Sequence, residues 1–560
     1  LSQRLAAQRV LADLLSLAGV REVIVCAGAR NEPLVDVLTP APPGVSVWPF
    51  FEERDAAFFA LGCSKRTRRP TALITTSGTA AGELLPGLME AYHQGVPLVA
   101  ITADRPPRLR GQMAPQATDQ VGIFSRFVVS DLDLDLSSAQ DGRGLEPWRD
   151  WMAQASVAQL SGPVHLNLCF DEPLLDDLPL APWPSLTDSQ PQTVPTGPVA
   201  RPANPAPSSR ATGALVLVLG ELTVEEARAT QTLVTSLPAP EQGGPWIVAE
   251  PLSLLRGAFP EREIQCADRV LALAVRDGLL SDVFRIGRVP TGRLWRDLDR
   301  VGSAREVRVE SLSRRNDLGL GPRPTARNTL WSKEEWDLPE VWQERLRSAC
   351  TTSRAEAHRR INEQDAMSRA RLTQLLGDLP NSEVALLRAL SESVAKNAWI
   401  YLGNSLPIRE WDLAADRTKR DLGSRPHLSA SRGLNGIDGQ LSAAIGEAPE
   451  EGPCWAVLGD LTTLYNMAGP WALRARPLTD FRLAVINNSG GRIFSRVTRS
   501  PLFLNSHDLG FADWAKVWGM TSAVCHSRSQ LLAALPGPRV VEIRPSLAES
   551  ERFWTDWTKS

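Results

Sequence analysis

Asp460 and Asn488 are the residues whose types and spacing point most directly to chemistry. Trp455-Ala-Val-Leu-Gly459-Asp460 reads as a strand ending on a carboxylate, residues 462–474 as a helical segment, and Phe481-Arg-Leu-Ala-Val-Ile-Asn487-Asn488-Ser-Gly490-Gly491 as a second strand ending on amides. Right-handed crossovers place two such strand ends on the same edge of a parallel sheet, where α/β folds bind ligands. A carboxylate, an amide carbonyl and a backbone carbonyl converging there suit a hard cation such as Mg²⁺, with phosphate oxygens completing the octahedron. The same residues also suit structural duty, with Asp460 capping the next helix and Asn488 opening a Gly-Gly turn.

Other segments carry groups of the kind such a centre uses. Phe51-Glu-Glu53-Arg-Asp-Ala-Ala-Phe-Phe-Ala-Leu-Gly62 puts a carboxylate at the start of a helix. Taken alone, an acid there is explained by the helix dipole, worth about 0.3–1 kcal/mol. Ile74-Thr-Thr-Ser77-Gly78-Thr-Ala80 runs from a strand into a helix start, a generic turn when read alone, whereas Thr102-Ala-Asp-Arg105-Pro-Pro107 sets an arginine just past a strand end, where packing rarely needs one. Gly403-Asn-Ser405-Leu-Pro-Ile-Arg409 and Ser431-Arg432-Gly-Leu-Asn-Gly-Ile437-Asp-Gly439 add two more arginines. In a chain with 55 arginines, surface salt bridging is the ordinary role of any one of them.

Together these segments resemble one family. Gly459-Asp460 followed at a distance by Asn487-Asn488 is similar to the thiamine-diphosphate motif of the decarboxylase and acetolactate-synthase superfamily. Leu461, where glycine is usual, matches the MenD enzymes, the 2-succinyl-5-enolpyruvyl-6-hydroxy-3-cyclohexene-1-carboxylate synthases of menaquinone and phylloquinone synthesis. The resemblance runs along essentially the whole chain. It implies a thiamine-diphosphate-binding fold, the cofactor itself, and Mg²⁺ or Mn²⁺ held by Asp460, Asn488 and the carbonyl of Gly490. It makes Glu53 the catalytic acid that touches N1′ of the aminopyrimidine, and Ser77, Gly78, Ile437 and Gly459 cofactor neighbours, Ile437 as the apolar wedge that bends the cofactor.

The same resemblance implies that 2-oxoglutarate is decarboxylated and the product carbanion equivalent added in a 1,4 sense to isochorismate. Arg30, Arg105, Gln116, Arg293, Ser405, Arg409, Arg432, Ile493 and Phe494 fall at substrate-binding positions. Two dicarboxylate substrates account for the arginines, which offer bidentate partners. The family builds its sites from the first domain of one chain and the third of another, which implies a homodimer or homotetramer. Three departures stand out: Ala29 replaces a serine beside Arg30, Pro115 stands before Gln116 where asparagine is common, and Arg293 replaces a lysine, exchanging a point charge for a fork. Another thiamine-diphosphate decarboxylase or acetolactate-synthase-like enzyme, or a non-catalytic homologue, would keep the fold. Leu461 and the Arg105 and Arg409 segments speak against the first, and joint retention of Glu53, Asp460 and Asn488 against the second.

Composition narrows the classes independently. The 560 residues suggest three or four domains, and 43% hydrophobic with 22% charged residues describes an ordinary globular chain. The net charge of −3 gives no reason to expect nucleic acid. No apolar run approaches the ~18 residues that span a bilayer, and no secretion signal is legible at the start, so a cytoplasmic enzyme is expected. The seven cysteines are scattered without CxxC spacing, as reduced thiols are, and suggest no zinc site.

The elements that must position these groups follow from periodicity. Short apolar runs at 23–26, 45–51, 72–75, 98–102 and 164–168, separated by amphipathic stretches, predict βαβ units. Nine prolines between Pro179 and Arg210 mark a linker. A second α/β pattern restarts at 214–220 and continues through 246–249 and 269–274 to about residue 312; a third has strands at 399–402, 455–458, 482–486 and 540–543. The expectation is an α/β chain of parallel sheets flanked by helices. Its parts are a pyrimidine-binding domain at 1–180, a linker at 181–212, a central domain at 213–345, a helical connector at 346–375 and a diphosphate-binding domain at 376–560.

Overall fold

The computed structural model describes residues 2–137, 145–155, 162–186, 212–288, 291–292, 308–314, 326–331, 340–417, 422, 427–498, 500–535 and 537–559. Its strands form three parallel sheets flanked by helices, the α/β class expected from the sequence. Packing divides the chain into two compact units. One comprises Leu1–Thr196, Ser431–Glu451 and Thr462–Thr479; the other comprises Gly197–Ala430, Gly452–Leu461 and Asp480–Ser560.

The first unit holds a six-stranded sheet in the order β2-β1-β3-β4-β6-β5. Its strands are β1 (Glu22–Cys26), β2 (Ser46–Phe50), β3 (Thr71–Thr75), β4 (Leu98–Asp104), β5 (Ser130–Asp135) and β6 (Val164–Cys169). Every residue of β1, β3, β4 and β6 is buried, which is why these strands read as continuous apolar runs: helices cover both faces. The helix Gln3–Ser16, capped by Ser2, turns Ala6, Ala7, Val10, Leu11, Leu14 and Leu15 toward the core at helical spacing. β5, an edge strand of alternating Ser, Asp and Leu, escaped the sequence reading because it lacks an apolar run.

The same unit packs the helices Glu53–Thr67 and Gln440–Glu447 at close range. A Cβ on Gly62 would lie 2.2 Å from the carbonyl oxygen of Ala443, and one on Gly446 would lie 2.3 Å from that of Phe59. Two glycines therefore let the backbones approach more closely than any side chain allows. The residues 462–474 do not form the single helix expected. Short helices Asp460–Leu464 and Trp471–Ala475 flank a turn through Gly469-Pro470, where proline has no N–H to continue a helical ladder.

The second unit carries two sheets. β7 (Ala214–Leu219), β8 (Trp246–Ala249), β9 (Leu280–Ile286), β10 (Arg308–Arg314) and β11 (Ala326–Trp331) run in the order β11-β10-β9-β7-β8. Residues 269–274 belong to the helix Ala267–Arg276, which buries Val270, Leu271, Ala274 and Val275 along one face. The other sheet consists of β12 (Trp399–Leu402), β13 (Leu428–Ser429), β14 (Cys454–Gly459), β15 (Phe481–Ile486), β16 (Ser522–Cys525) and β17 (Val540–Ile543) in the order β13-β12-β14-β15-β17-β16. The register pairs Cys454 with Phe481 and Gly459 with Ile486, so β14 and β15 end level.

Gly62→Ala forces a methyl group onto the Ala443 carbonyl and should cost at least about 1–3 kcal/mol, the usual penalty of overpacking. Chemical denaturation of the purified variant checks this; an unchanged midpoint would mean that the two helices separate at no cost.

Candidate active site

The level ends of β14 and β15 bring Asp460 and Asn488 to one place in the second unit. Asp460 follows β14 directly and opens the helix Asp460–Leu464. Its Oδ1 accepts from the Leu461 N–H at 2.7 Å and its Oδ2 from the Gly490 N–H at 2.8 Å, so the carboxylate ties one strand end to the other. Burial raises its pKa, while the backbone N–H groups of Gly490 and Leu461 donated to it pull it back down. A divalent cation beside it would hold the charged form.

Asn488 is also buried, and its Nδ2 donates to both carboxylate oxygens of Glu383, at 3.1 and 2.8 Å. Its Oδ1 has no hydrogen-bond partner although it is shut off from solvent. A buried acceptor left unpaired costs roughly 1–3 kcal/mol, so a built acceptor of this kind fits a metal ligand. Gly490, at φ +124°, sits where a Cβ would meet the Leu504 carbonyl at 2.3 Å, and its own carbonyl accepts from Arg492 N–H at 2.8 Å, leaving a second lone pair. No group of three His, Cys, Asp or Glu side chains among the described residues has metal-holding geometry. A cation here would therefore rest on one carboxylate, one amide and one backbone carbonyl, the oxygen donors that Mg²⁺ takes together with phosphate.

Two neighbours escaped the sequence reading. His507 stands with Nε2 3.2 Å from Asp460 Oδ2, and its Nδ1 accepts from the Leu509 N–H at 3.2 Å, which puts the ring proton on the Nε2 that faces the carboxylate. Glu383 begins the helix Glu383–Ser393 and lies beside Glu410, a second fully buried acid. Burial pushes Glu383 up to about 7 and Glu410 well above the usual carboxylate range. Neither residue carried a signal in one dimension, since a lone histidine and helix-start acids are common.

The second unit also gathers three of the residues expected at the substrate. Arg409, Ile493 and Phe494 line one cavity of about 590 Å³, together with Leu273, Arg496 and Trp554. Ser405 precedes the helix Leu406–Ala414 at φ 72° and ψ −126°, a conformation that a residue with a side chain seldom adopts, and its carbonyl accepts from Arg409 Nη1 at 2.6 Å. Arg293 lies outside the described residues.

In the first unit a second constellation forms past the ends of β1, β3 and β4. Arg105 Nη1 donates to Ser77 Oγ at 2.9 Å and to the Gln116 carbonyl at 2.7 Å. Gly78, at φ +85°, offers its N–H to Gln120 Oε1 at 2.8 Å, and a Cβ there would crowd Gln116 at 3.1 Å. Arg30 donates to the Phe170 carbonyl at 3.0 Å and pairs with Glu172 at 3.3 Å. Arg105 sits below its ordinary pKa through desolvation and then through the charge of Arg30, two like charges that an anion would relieve.

Glu53 stands in the first turn of the helix Glu53–Thr67, capped by Glu52, and its pKa is raised, chiefly by burial. Two residues on, the buried Asp55 is pushed up to about 7 and accepts from Asn466 Nδ2 at 2.5 Å. Arg432 and Ile437 lie on the loop before the helix Gln440–Glu447, which Glu90 holds by accepting from the N–H groups of Gly433 and Leu434 at 2.7 and 2.8 Å. Ile437 is half-buried.

Asp460→Ala removes the carboxylate that joins the two strand ends and should abolish Mg²⁺-dependent retention of thiamine diphosphate on gel filtration. Equal retention with and without Mg²⁺ in that variant would remove Asp460 from the metal centre.

Comparison with known proteins bears on this site. Residues 5–123 match the thiamine pyrophosphate enzyme, N-terminal TPP binding domain. A 2-succinyl-5-enolpyruvyl-6-hydroxy-3-cyclohexene-1-carboxylate synthase of Bdellovibrio bacteriovorus is 34% identical over 98% of this chain and 98% of its own length. The synthases of Akkermansia muciniphila, 34% identical over 90% of this chain and 88% of its own, and of Geobacillus kaustophilus, 31% identical over 97% and 95%, are similar in the same way. With likeness of this extent from end to end, the chain belongs to the family of thiamine-diphosphate-dependent 2-succinyl-5-enolpyruvyl-6-hydroxy-3-cyclohexene-1-carboxylate synthases.

Proposed function

We propose that this protein performs the condensation for which its relatives are named. 2-Oxoglutarate loses carbon dioxide, and the remaining four-carbon unit adds in a 1,4 sense to isochorismate, giving 2-succinyl-5-enolpyruvyl-6-hydroxy-3-cyclohexene-1-carboxylate for menaquinone or phylloquinone synthesis. The observation that carries this reading most is the full-length likeness to synthases of that name. The buried, unpartnered Asn488 Oδ1 beside Asp460 supports the cofactor side of it.

Thiamine diphosphate, when bound, supplies the electron sink that lets a 2-oxoacid lose carbon dioxide. The residues of this chain do the rest. Asp460, Asn488 and the Gly490 carbonyl hold Mg²⁺ or Mn²⁺ against the diphosphate, next to Gly459. Glu53, whose burial favours the protonated form, shares a proton with N1′ of the aminopyrimidine; Ser77, Gly78 and Ile437 flank the cofactor. Arg30, Arg105, Arg409 and Arg432, joined by Arg293 on the resemblance alone, meet the substrate carboxylates, with Ser405 and Gln116 as neutral donors. Ile493 and Phe494 contribute apolar walls, which keep water from quenching the reacting carbon.

The family's use of two chains per site makes a homodimer, or a homotetramer built from it, the active assembly. No helix among the described residues is long and apolar enough to cross a membrane. All seven cysteines are free, six of them buried, which supports a reducing, cytoplasmic setting.

Mass spectrometry of the reaction with thiamine diphosphate, Mg²⁺, 2-oxoglutarate and isochorismate, each omitted in turn, tests the assignment. The product expected is the sum of both substrates less carbon dioxide, seen only in the complete mixture. Succinic semialdehyde without consumption of isochorismate would make the protein a decarboxylase instead. In the complete mixture Glu53→Gln should lose about 10²–10⁴-fold in turnover with the fold intact by circular dichroism, the usual worth of a positioned acid–base group. Near-normal turnover would take Glu53 out of the mechanism.

A further inference from the structure

Asparagine is an ambiguous metal ligand. Its amide presents an acceptor on one side and two donors on the other, and a half-turn about the last side-chain bond exchanges them. For Asn488 to offer Oδ1 to a cation, something must decide that orientation before the cation arrives. The structure holds such a device. Both oxygens of Glu383 accept from the same Nδ2, and a flipped amide would instead set Oδ1 against a carboxyl group. Glu383 is itself locked: its N–H donates to Ser550 Oγ at 2.9 Å, Ser382 caps its helix by accepting from the Ala385 N–H at 3.3 Å, and its carboxyl lies beside the buried Glu410. Glu410 in turn accepts from Trp554 Nε1 at 3.3 Å. The side chains of Glu383 and Glu410 are buried acids with no part in the chemistry described so far, at 3% and 0% exposure, a placement too costly for surface-type residues to hold without a duty.

We propose that Glu383 is a positioning residue for the metal centre: it fixes the amide of Asn488 with Oδ1 turned toward the cation, and Ser550 and the Ser382 cap hold Glu383 in place for that task. The inference rests on the reading of Asp460 and Asn488 as metal ligands. Outer partners of this kind are commonly worth 10–100-fold in metal affinity.

The test is calorimetric titration of Mg²⁺ into the full-length protein with thiamine diphosphate in excess, a readout that does not depend on turnover. Glu383→Leu and Glu383→Ala, prepared in parallel so that one misfolding variant does not decide the matter, should each weaken Mg²⁺ binding about 10–100-fold. Turnover at saturating Mg²⁺ should fall far less than affinity. Glu383→Gln, whose amide oxygen still accepts from Nδ2, should stay within about threefold of the parent, because one of two acceptors is retained. In an Asn488→Ala background the Glu383→Ala change should cost almost nothing more, since its only route to the cation is gone. Parent-like Mg²⁺ affinity in the truncated variants, an equal loss in Glu383→Gln, or full additivity with Asn488→Ala would each overturn the proposal. Mg²⁺ binding that survives Asp460→Ala would instead overturn the metal assignment beneath it, so the two failures are told apart.

Discussion

The candidate centre depends on one register. Gly459 pairs with Ile486 across β14 and β15, and both strands therefore stop at the same height. A shift of a single residue would turn every side chain of one strand to the opposite face and carry Asp460 away from the N–H of Gly490 that it now accepts from. β14 and β15 are almost wholly buried, and β14 is held on its other side by β12 and β15 by β17. Precision at the site is thus inherited from packing that has no chemical role of its own.

Around that register the molecule spends polar groups in a consistent way. Asp460, Asn488 and Glu383 are all buried, and each oxygen or nitrogen among them has a protein partner except Asn488 Oδ1. Among these three residues the partners of the other atoms fix the direction in which that one acceptor points. The first unit follows a related logic with charge. Arg30 lies close enough to Arg105 to disfavour the latter's charge; Arg30 pairs with Glu172 and the Phe170 carbonyl, and Arg105 with the Ser77 hydroxyl and the Gln116 carbonyl. In the proposed function a substrate carboxylate supplies the counter-charge between them.

Glycine serves two distinct ends here. Gly62 and Gly446 have ordinary conformations and are needed for space, because the helices Glu53–Thr67 and Gln440–Glu447 touch backbone to backbone. Gly78 and Gly490 have positive φ and are needed for direction, because each turns an N–H or a carbonyl toward a site residue. The first pair carries the helix that begins with Glu53, so even a purely steric constraint reaches the chemistry through the element it positions.

The sequence by itself determined the α/β class, the strands that are apolar along their whole length, and the residues with unusual chemical content at strand ends. Asp460, Asn488 and Arg105 stood out because a polar or charged residue just past an apolar run has few packing reasons to be there, whereas Ser405 stood out only through the family resemblance. β5, with its alternating Ser, Asp and Leu, was not legible, since an edge strand needs no continuous apolar face. Nor was the break between Asp460–Leu464 and Trp471–Ala475, where local turn chemistry at Gly469-Pro470 overrides helical composition. Only the tertiary structure decided that Glu383, some hundred residues before Asn488 in the chain, grips its amide, and that His507 faces Asp460. The reason is physical: periodicity records which face of an element is apolar, whereas an orienting hydrogen bond between distant segments leaves no period and exists only once the sheet has brought their ends together.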